Sequence, residues 1–312
     1  MSGPVQRLAV ICAGQGAQAE LDFSALRPGA DDAVEAHVLW RAASAQLGGD
    51  WQDQWSTLDA VSRRANRVAQ LAVALWQGLQ WLRVRTVLPT PAWVIGYSAG
   101  EVAAQAIAGS LAFADVPGLM TARAEAMDAA CGVADSPCLV LLGSRLPAAA
   151  RQRREAALQR HGLCLSIQRT PAEAVWAAPA AQIAAFLADA TQDGGWDARA
   201  VDVRVPSHSV YLQPALHPWR AALAACAVQA PQTGVLAGIT GDPVRTADAV
   251  RSTLVDQLAQ PIQWSDVLQG LLERGVTRVL DLGPGSDQGR LLEAQQADLQ
   301  LFQVSAGILV RS

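Results

Sequence analysis

The sequence predicts an α/β protein with a small second domain inserted into its core. Two short apolar runs, residues 8–13 and 92–95, each end at a glycine-rich turn, which is typical of buried strands that pass into a loop or a helix. Between residues 136 and 204 the pattern changes to short strands and two helices. The chain has 312 residues, enough for two domains or for one large domain with an insert.

The core elements follow in order along the first part of the chain. Residues 8–13 (LAVICA) predict a buried strand rather than a signal peptide, because the run ends in a glycine turn instead of a cleavage site. Residues 32–85 predict helices, with a polar-aromatic break at 51–55 and an amphipathic helix over 66–81. Residues 92–95 predict a strand that turns into a helix near Glu101, and residues 112–130 predict a further helix.

The middle segment has the element order of a ferredoxin-like domain. The predicted elements are strand 138–142, helix 147–160, strand 163–168, strand 173–177, helix 179–190 and strand 198–205. We therefore expect residues 134–204 to form the insert and residues 1–133 and 205–312 to form the core. In the second part of the core, residues 235–239 and 278–282 predict strands, and residues 246–259 and 265–273 predict helices.

Composition excludes several classes of function. Charged residues make up 17% of the chain and the net charge is −4, so there is no basic footprint for nucleic acid. All 24 cations are arginine, and without lysine neither Schiff-base chemistry nor an ordinary P-loop is possible. Five scattered cysteines predict free thiols in a reducing cytoplasm and no metal site, and no apolar stretch predicts a membrane span.

Ser98 is the first candidate for chemistry. It stands between two glycines, after a short predicted strand and before a helix, which is the context of a nucleophile elbow. The N-terminal end of that helix would point at the serine, and the backbone N–H of Ala99 would stabilise an oxyanion. A structural strand-to-helix turn explains the same residues.

Three further residues have a functional and a structural interpretation. His208 follows a predicted strand and Pro206, so it is the best base for Ser98, although a lone histidine is often structural. The turn at Gln15 offers a second backbone oxyanion donor or is a plain tight loop. Arg123 lies on a helix of small and apolar residues, where it is either a solvated cation or an internal receptor for a carboxylate.

Taken together and in this order, the motifs resemble the malonyl-CoA:acyl-carrier-protein transacylase family over residues 8–292. The matching motifs are Gly14-Gln15-Gly16-Ala17-Gln18, the elbow from Gly96 to Glu101, Arg123 at 25 positions beyond Ser98, Ser207-His208, Gln257 before Pro261-Ile262-Gln263-Trp264, and Leu280 to Gly285. The resemblance implies an α/β-hydrolase-like core with the ferredoxin-like insert.

The resemblance also implies a role for each residue. Ser98 attacks a thioester and becomes the acyl-enzyme, and His208 takes its proton and later activates the incoming thiol. A backbone carbonyl at Gln257 orients the imidazole in place of a triad carboxylate. Backbone N–H groups of Gln15 and Ala99 form the oxyanion hole, and Arg123 binds the free carboxylate of a malonyl group. The donor is malonyl-CoA, the acceptor is a phosphopantetheine-type arm on an acyl-carrier protein, and the chain itself binds no cofactor.

Two departures from the family pattern refine the expectation. Tyr97 replaces the histidine before the nucleophile, and Ala13 replaces the proline before the GQG loop. This combination is more similar to the acyltransferase (epsilon) subunit of biotin-independent malonate decarboxylase, which implies priming of that enzyme and contact with its other subunits. The alternative is malonyl supply to fatty-acid or polyketide synthesis.

Two other classes of function stay open from sequence alone. A serine thioesterase or esterase shares the GxSxG motif and would add a carboxylate such as Asp197 or Asp202. A non-catalytic interaction module would show no acyl-enzyme. Arginines on the 147–160 helix, and Arg63, Arg64 and Arg67, are either solvated or positioned to contact an acidic carrier.

Overall fold

The computed structural model describes residues 7–285, 287–305 and 308–311. The helices are α1 (Val34–Leu47), α2 (Trp51–Thr57), α3 (Asn66–Val84), α4 (Gly100–Ile107), α5 (Val116–Cys131), α6 (Ala148–Arg160), α7 (Ala180–Gln192), α8 (Leu216–Ala224), α9 (Ala247–Asp256), α10 (Trp264–Glu273) and α11 (Asp287–Glu293). The strands are β1 (Arg7–Cys12), β2 (Trp93–Gly96), β3 (Leu139–Gly143), β4 (Cys164–Thr170), β5 (Glu173–Ala177), β6 (Ala198–Val201), β7 (Gly234–Leu236), β8 (Pro243–Val244), β9 (Ile262–Gln263), β10 (Val276–Asp281), β11 (Gln300–Ser305) and β12 (Ile308–Arg311).

A mixed sheet forms the centre of the molecule. Seven of the strands in the described residues lie in the order β12-β11-β10-β1-β2-β7-β8, and β1 pairs in parallel with both β10 and β2. Side chains alternate along β1, so Val10 and Cys12 pack in the larger core while Ala9 and Ile11 pack in a second core on the other face. The carboxyl ends of β1 and β2 therefore lie side by side, and the loops that follow them carry Gln15 and Ser98.

A second, smaller sheet packs on one face of the central sheet. In the described part of the chain its order is β6-β3-β5-β4-β9, in which β6, β3, β5 and β4 are antiparallel neighbours. On β3, Val140 and Leu142 pack in a core with residues of α6 and α7, whereas Leu139 and Leu141 join the second core of the central sheet. Every strand and helix predicted between residues 138 and 201 is present, although β6 ends at Val201 rather than at residue 205.

The predicted break at residues 51–55 is wrong, because this segment is α2. The Asp50 carboxylate accepts a hydrogen bond from the Gln52 backbone N–H and so caps the helix. Trp51 and Trp55, one turn apart, are buried and each meets the Phe23 ring edge-on. Their spacing of four residues is a helical signal that the polar residues between them conceal.

The helix predicted at residues 66–81 is present as α3, but it is not amphipathic. It is buried on nearly all sides after its first turn, and the amides of Gln70, Gln77 and Gln80 are among its buried groups. Gln77 Nε2, for example, donates to the carbonyls of Ala13 (2.7 Å) and Gly283 (2.6 Å). A polar residue therefore marks a buried hydrogen-bonding position here, not a solvated face.

Several short elements were not predicted: α8, β8, β9, α11, β11 and β12. Among them β9 matters most for the site, because it pairs in parallel with β4 and so joins the core to the smaller sheet. None of the helices in the described residues combines the length and apolar character that crossing a membrane requires.

Candidate active site

Ser98 lies on a tight turn between β2 and α4. Its φ angle is +55°, a left-handed conformation that a residue other than glycine rarely adopts. The flanking glycines allow the turn, because a Cβ on Gly96 would lie 2.2 Å from the Glu101 Cα and one on Gly100 would lie 2.2 Å from the Cys12 carbonyl oxygen. The local sequence thus holds the serine at the carboxyl end of the central strands.

His208 is in direct contact with Ser98. The Ser98 Oγ lies 2.7 Å from His208 Nε2, and His208 Nδ1 lies 2.6 Å from the Gln257 backbone carbonyl. A carbonyl only accepts hydrogen bonds, so Nδ1 carries the proton and Nε2 is left as the acceptor for the serine hydroxyl. This is the tautomer that a general base requires.

The environment keeps the imidazole neutral. Burial, together with the nearby positive charge of Arg123, lowers the pKa of His208 to about 3, and the hydrogen bond to the Gln257 carbonyl opposes this shift only in part. In the described residues no carboxylate is hydrogen-bonded to His208. The triad candidates lie elsewhere, since Asp202 pairs with Arg64 and Asp197 lies against Gly143.

Arg123 lies within the protein next to this pair and is only 1% exposed. Its Nη1 donates to Gln70 Oε1 at 2.6 Å and its Nη2 donates to Gln257 Oε1 at 3.0 Å. Burial lowers the pKa of Arg123 to about 10, against the opposing effect of Glu101, so the guanidinium stays charged at neutral pH. Because Arg123 is buried, its interpretation as a solvated cation is wrong. Arg123 is not among the residues that line the Ser98 pocket.

Glu101 is a site residue to which the sequence assigned no role. It is 1% exposed, its Oε2 accepts a hydrogen bond from Gln257 Nε2, and its Oε1 has no hydrogen-bond partner in the described residues. Burial raises the pKa of Glu101 to about 7, although the hydrogen bond from Gln257 and the charge of Arg123 act in the opposite direction. The signal in the sequence that could have identified Glu101 as a site residue is its position at the end of the GxSxGE motif.

Gln257 connects all of these groups. Its backbone carbonyl accepts from His208, and its side-chain Oε1 accepts from Arg123. Its Nε2 donates to Glu101 and, at 3.2 Å, to the Ser98 carbonyl. One residue therefore touches the serine, the imidazole and both buried charges.

Gln15 and Ala99 lie beside the serine. Ala99 is the N-cap of α4, and Gln15 lines the same pocket as Ser98. Within the described residues neither backbone N–H has a hydrogen-bond acceptor, so both are available to a bound group. The Gln15 side chain is held by Asn66, whose Oδ1 accepts from Gln15 Nε2 at 3.3 Å.

The pocket in front of Ser98 is small, with a cavity volume of about 50 Å³. Its polar side holds Gln15, Ser98, Ser207 and His208, while its other walls are apolar side chains of the smaller sheet and the segment after it: Leu139, Ile167, Val175, Val201 and Val203. Tyr97 also lines the pocket and meets Trp264 edge-on at 5.0 Å between ring centroids. The Ser98 hydroxyl therefore faces a small pocket with largely apolar walls. Among the described residues, no group of three His, Cys, Asp or Glu side chains is placed to hold a metal ion.

Residues 32–294 match the sequence profile of the acyl transferase domain family. The chain belongs to this family. A malonyl CoA-acyl carrier protein transacylase of Mycobacterium bovis is 30% identical over 284 residues, which is 89% of each chain. The protein is accordingly an acyltransferase of the malonyl-CoA:acyl-carrier-protein transacylase type.

One further relative and one solved structure are also similar to this chain. The polyketide biosynthesis protein ThaF of Burkholderia thailandensis is 32% identical over 196 residues, which cover 63% of this chain but only 16% of that protein. A solved type II PKS acyl-carrier protein in complex with its malonyl-transacylase superimposes with a TM-score of 0.83 at 22% identity and covers 97% of each chain. This last likeness establishes the mixed α/β fold.

Proposed function

We propose that the protein transfers a malonyl group from malonyl-CoA, through an ester on Ser98, to the thiol of a phosphopantetheine arm on an acyl-carrier protein. The observation that carries the proposal is the 2.7 Å contact between Ser98 Oγ and the neutral His208 imidazole, beside a buried arginine. The relatives named as malonyl transacylases support the donor and the acceptor.

Acyl transfer would begin at Ser98. His208 Nε2 takes the hydroxyl proton as Oγ attacks the thioester carbonyl, and the backbone N–H groups of Gln15 and Ala99 stabilise the oxyanion. The thiolate of CoA leaves with the proton from His208. In the second half, His208 takes the proton of the incoming carrier thiol, whose sulfur attacks the acyl-enzyme ester. The bond between the acyl carbon and the Ser98 oxygen then breaks, and His208 returns the proton to Ser98 Oγ.

Arg123 would select the acyl group. Its guanidinium offers planar, paired donors that match a carboxylate, and it is held in place by Gln70 and Gln257. The malonyl carboxylate would approach it past Gln257, while the Gln257 carbonyl keeps His208 oriented. An acetyl group has no carboxylate and gains nothing from this cation.

For the biological acceptor we infer a carrier of fatty-acid or polyketide synthesis. The names of the relatives favour this alternative over the malonate decarboxylase role that Tyr97 and Ala13 suggest in the sequence. The structure gives Tyr97 a packing role against Trp264. Priming of malonate decarboxylase remains the second candidate, supported only by those two substitutions.

We also propose a division of the chain into an α/β-hydrolase-like core, 1–133 and 205–312, and a ferredoxin-like insert, 134–204. The strand order β6-β3-β5-β4, with α6 and α7 packed on one face, supports the insert. The parallel central strands with a serine elbow after β2 support the core.

Intact-protein mass after brief exposure to malonyl-CoA tests the function. We expect a malonyl adduct in the wild type and in Ser207→Ala, a second serine of the same pocket, but not in Ser98→Ala, and little adduct with acetyl-CoA. Release of free malonate without transfer to a carrier would establish a thioesterase instead. No adduct and no malonate release would support the interaction module.

A further inference from the structure

Two arginines on segments next to the Ser98 pocket share a single carboxylate. Arg64 Nε lies 3.1 Å from Asp202 Oδ2, and Arg204 Nε lies 3.6 Å from Asp202 Oδ1. Arg64 belongs to the core, just before α3, whereas Asp202 and Arg204 follow β6 of the smaller sheet. The cluster therefore spans the two sides of the cleft and carries one excess positive charge.

The position of the cluster is fixed by residues of the pocket. Val201 and Val203, on either side of Asp202, both line the pocket in front of Ser98. On the other side, Asn66 lies two residues after Arg64 and holds the side chain of Gln15. The side chains of the ion pair do not line the pocket themselves, but each belongs to a segment within one or two residues of a group that lines it or holds its wall.

The hydrogen-bonding capacity of the cluster is only partly used. Arg204 Nε is buried and has no hydrogen-bond partner in the described residues, because its 3.6 Å separation from Asp202 is too long for a hydrogen bond. The neighbouring Arg63, by contrast, stacks over the Trp55 ring and donates to the carbonyls of Ala19 and Trp55. Arg63 Nε also lacks a partner in the described residues, and Arg64 Nη1 donates to the Ala60 carbonyl at 3.2 Å. The spare donors of the pair at Asp202 are therefore chiefly those of Arg204.

We propose that Arg64 and Arg204 bind the phosphate of a pantetheine arm, and that Asp202 occupies their site when no arm is present. A phosphate offers more charge and more acceptor oxygens than one carboxylate, and the guanidinium fork suits it. The proposal rests on the proposed function, which brings two such arms to Ser98. One is that of CoA and the other is that of the carrier protein, and each has a phosphate at the end remote from its thiol.

Binding of unreactive CoA gives the first test. CoA and phosphate-free pantetheine are titrated by calorimetry into Ser98→Ala, alone and combined with Arg64→Ala/Arg204→Ala. Loss of two partly exposed charge contacts should weaken CoA binding about tenfold and leave pantetheine binding unchanged. Asp202→Asn, which removes the internal competitor, should tighten CoA binding about threefold. The matched control is Arg153→Ala. Arg153 is an exposed arginine of α6, and its Nε lies 2.6 Å from Asp193 Oδ1.

Kinetics then distinguish the two sources of phosphate. Acylation of Ser98 is compared for malonyl-CoA and for malonyl N-acetylcysteamine thioester, and deacylation is compared for a phosphopantetheinylated carrier and for free pantetheine. In the double arginine variant KM should rise only for the phosphate-bearing member of each pair, with kcat unchanged. A rise confined to malonyl-CoA assigns the site to the donor, and one confined to the carrier assigns it to the acceptor.

Equal losses for phosphate-bearing and phosphate-free substrates, or no loss for either, would overturn the proposal. So would weaker CoA binding in Asp202→Asn, a variant that changes one exposed side chain. If the wild type is never acylated by any thioester, the proposed function fails. The CoA titrations, which need no reaction, still decide whether the arginines bind phosphate.

Discussion

Arg123→Met should abolish the preference for malonyl over acetyl thioesters while leaving a protein that still forms an acyl-enzyme. Methionine fills a similar buried volume without a charge. The change also removes the cation that lowers the pKa of Glu101, so this carboxyl, whose pKa is already about 7, is protonated at neutral pH. The variant therefore does not carry an uncompensated buried charge.

The size of the effect follows from the two Nη groups of Arg123. Gln70 and Gln257 hold them at 2.6 and 3.0 Å, so both are oriented before a substrate arrives. A malonyl carboxylate that takes two charge-assisted hydrogen bonds gains about 3–6 kcal/mol, at about 1.5–3 kcal/mol each. The ratio of kcat/KM for malonyl-CoA to that for acetyl-CoA should fall by about 10²–10⁴.

The assay is rapid-quench acylation followed by intact mass, with malonyl-CoA and acetyl-CoA measured in parallel. Arg154→Met is the matched control, because Arg154 is a half-buried arginine of α6 that donates to the Trp196 carbonyl. It should leave the ratio unchanged. If Arg123→Met slows both donors by the same factor, Arg123 acts through Gln257 on His208 and not on the substrate carboxylate.

Four other predictions concern the pH dependence of the reaction and substitutions around the site. Because the pKa of His208 is about 3, kcat/KM for acylation should not fall as the pH drops through 6.5, the ordinary pKa of histidine. Stopped-flow measurements from pH 4.5 to 8 test this. Burial raises the pKa of Glu101 from 4.5 to about 7, so its stabilising contribution is full below pH 4.5 and is lost as pH rises through 7. The free energy of unfolding is measured in urea at pH 5 and at pH 8. Between these two pH values, Glu101→Gln should lose about 3 kcal/mol less stability than the wild type. Gly96→Ala should prevent folding or activity, whereas Gly118→Ala, with open space at its Cβ, should keep Tm or raise it. Gln257→Met keeps the backbone carbonyl but loses the amide, so steady-state kcat should fall about tenfold to a hundredfold; an unchanged kcat would show that the amide does not position the site.

The elbow at Ser98 was predictable because its cause is local. Two glycines, a strand before and a helix after are all within a few residues, and the contacts of Gly96 and Gly100 show why no other residue fits. The contact between His208 and the carbonyl of Gln257 spans 49 positions, and no local pattern encodes it. Only the likeness to a family suggested Gln257 before the structure was known.

Other features were hidden because the usual meaning of a residue type fails in this fold. Glu101 is in the first turn of α4, where an acidic residue normally faces solvent and offsets the helix dipole, yet here it is buried. The glutamines of α3, such as Gln70, resemble a solvated face but hold Arg123 and backbone carbonyls inside the protein. The strand β9 has only two residues and carries no periodic signal.

The buried charges around Gln257 are better explained by function than by stability. Moving a carboxylate and a guanidinium out of water costs several kcal/mol each, and apolar residues of similar volume often give a protein that is equally or more stable. Glu101 and Arg123 are not in direct contact, and Glu101 Oε1 is left without a partner in the described residues, so the pair recovers little of that cost. Replacement of both, as Arg123→Met/Glu101→Gln, should therefore leave the free energy of unfolding unchanged or raise it, while malonyl selectivity is lost. A large loss of stability would instead show that the cluster holds the fold together and that its place beside Ser98 is secondary.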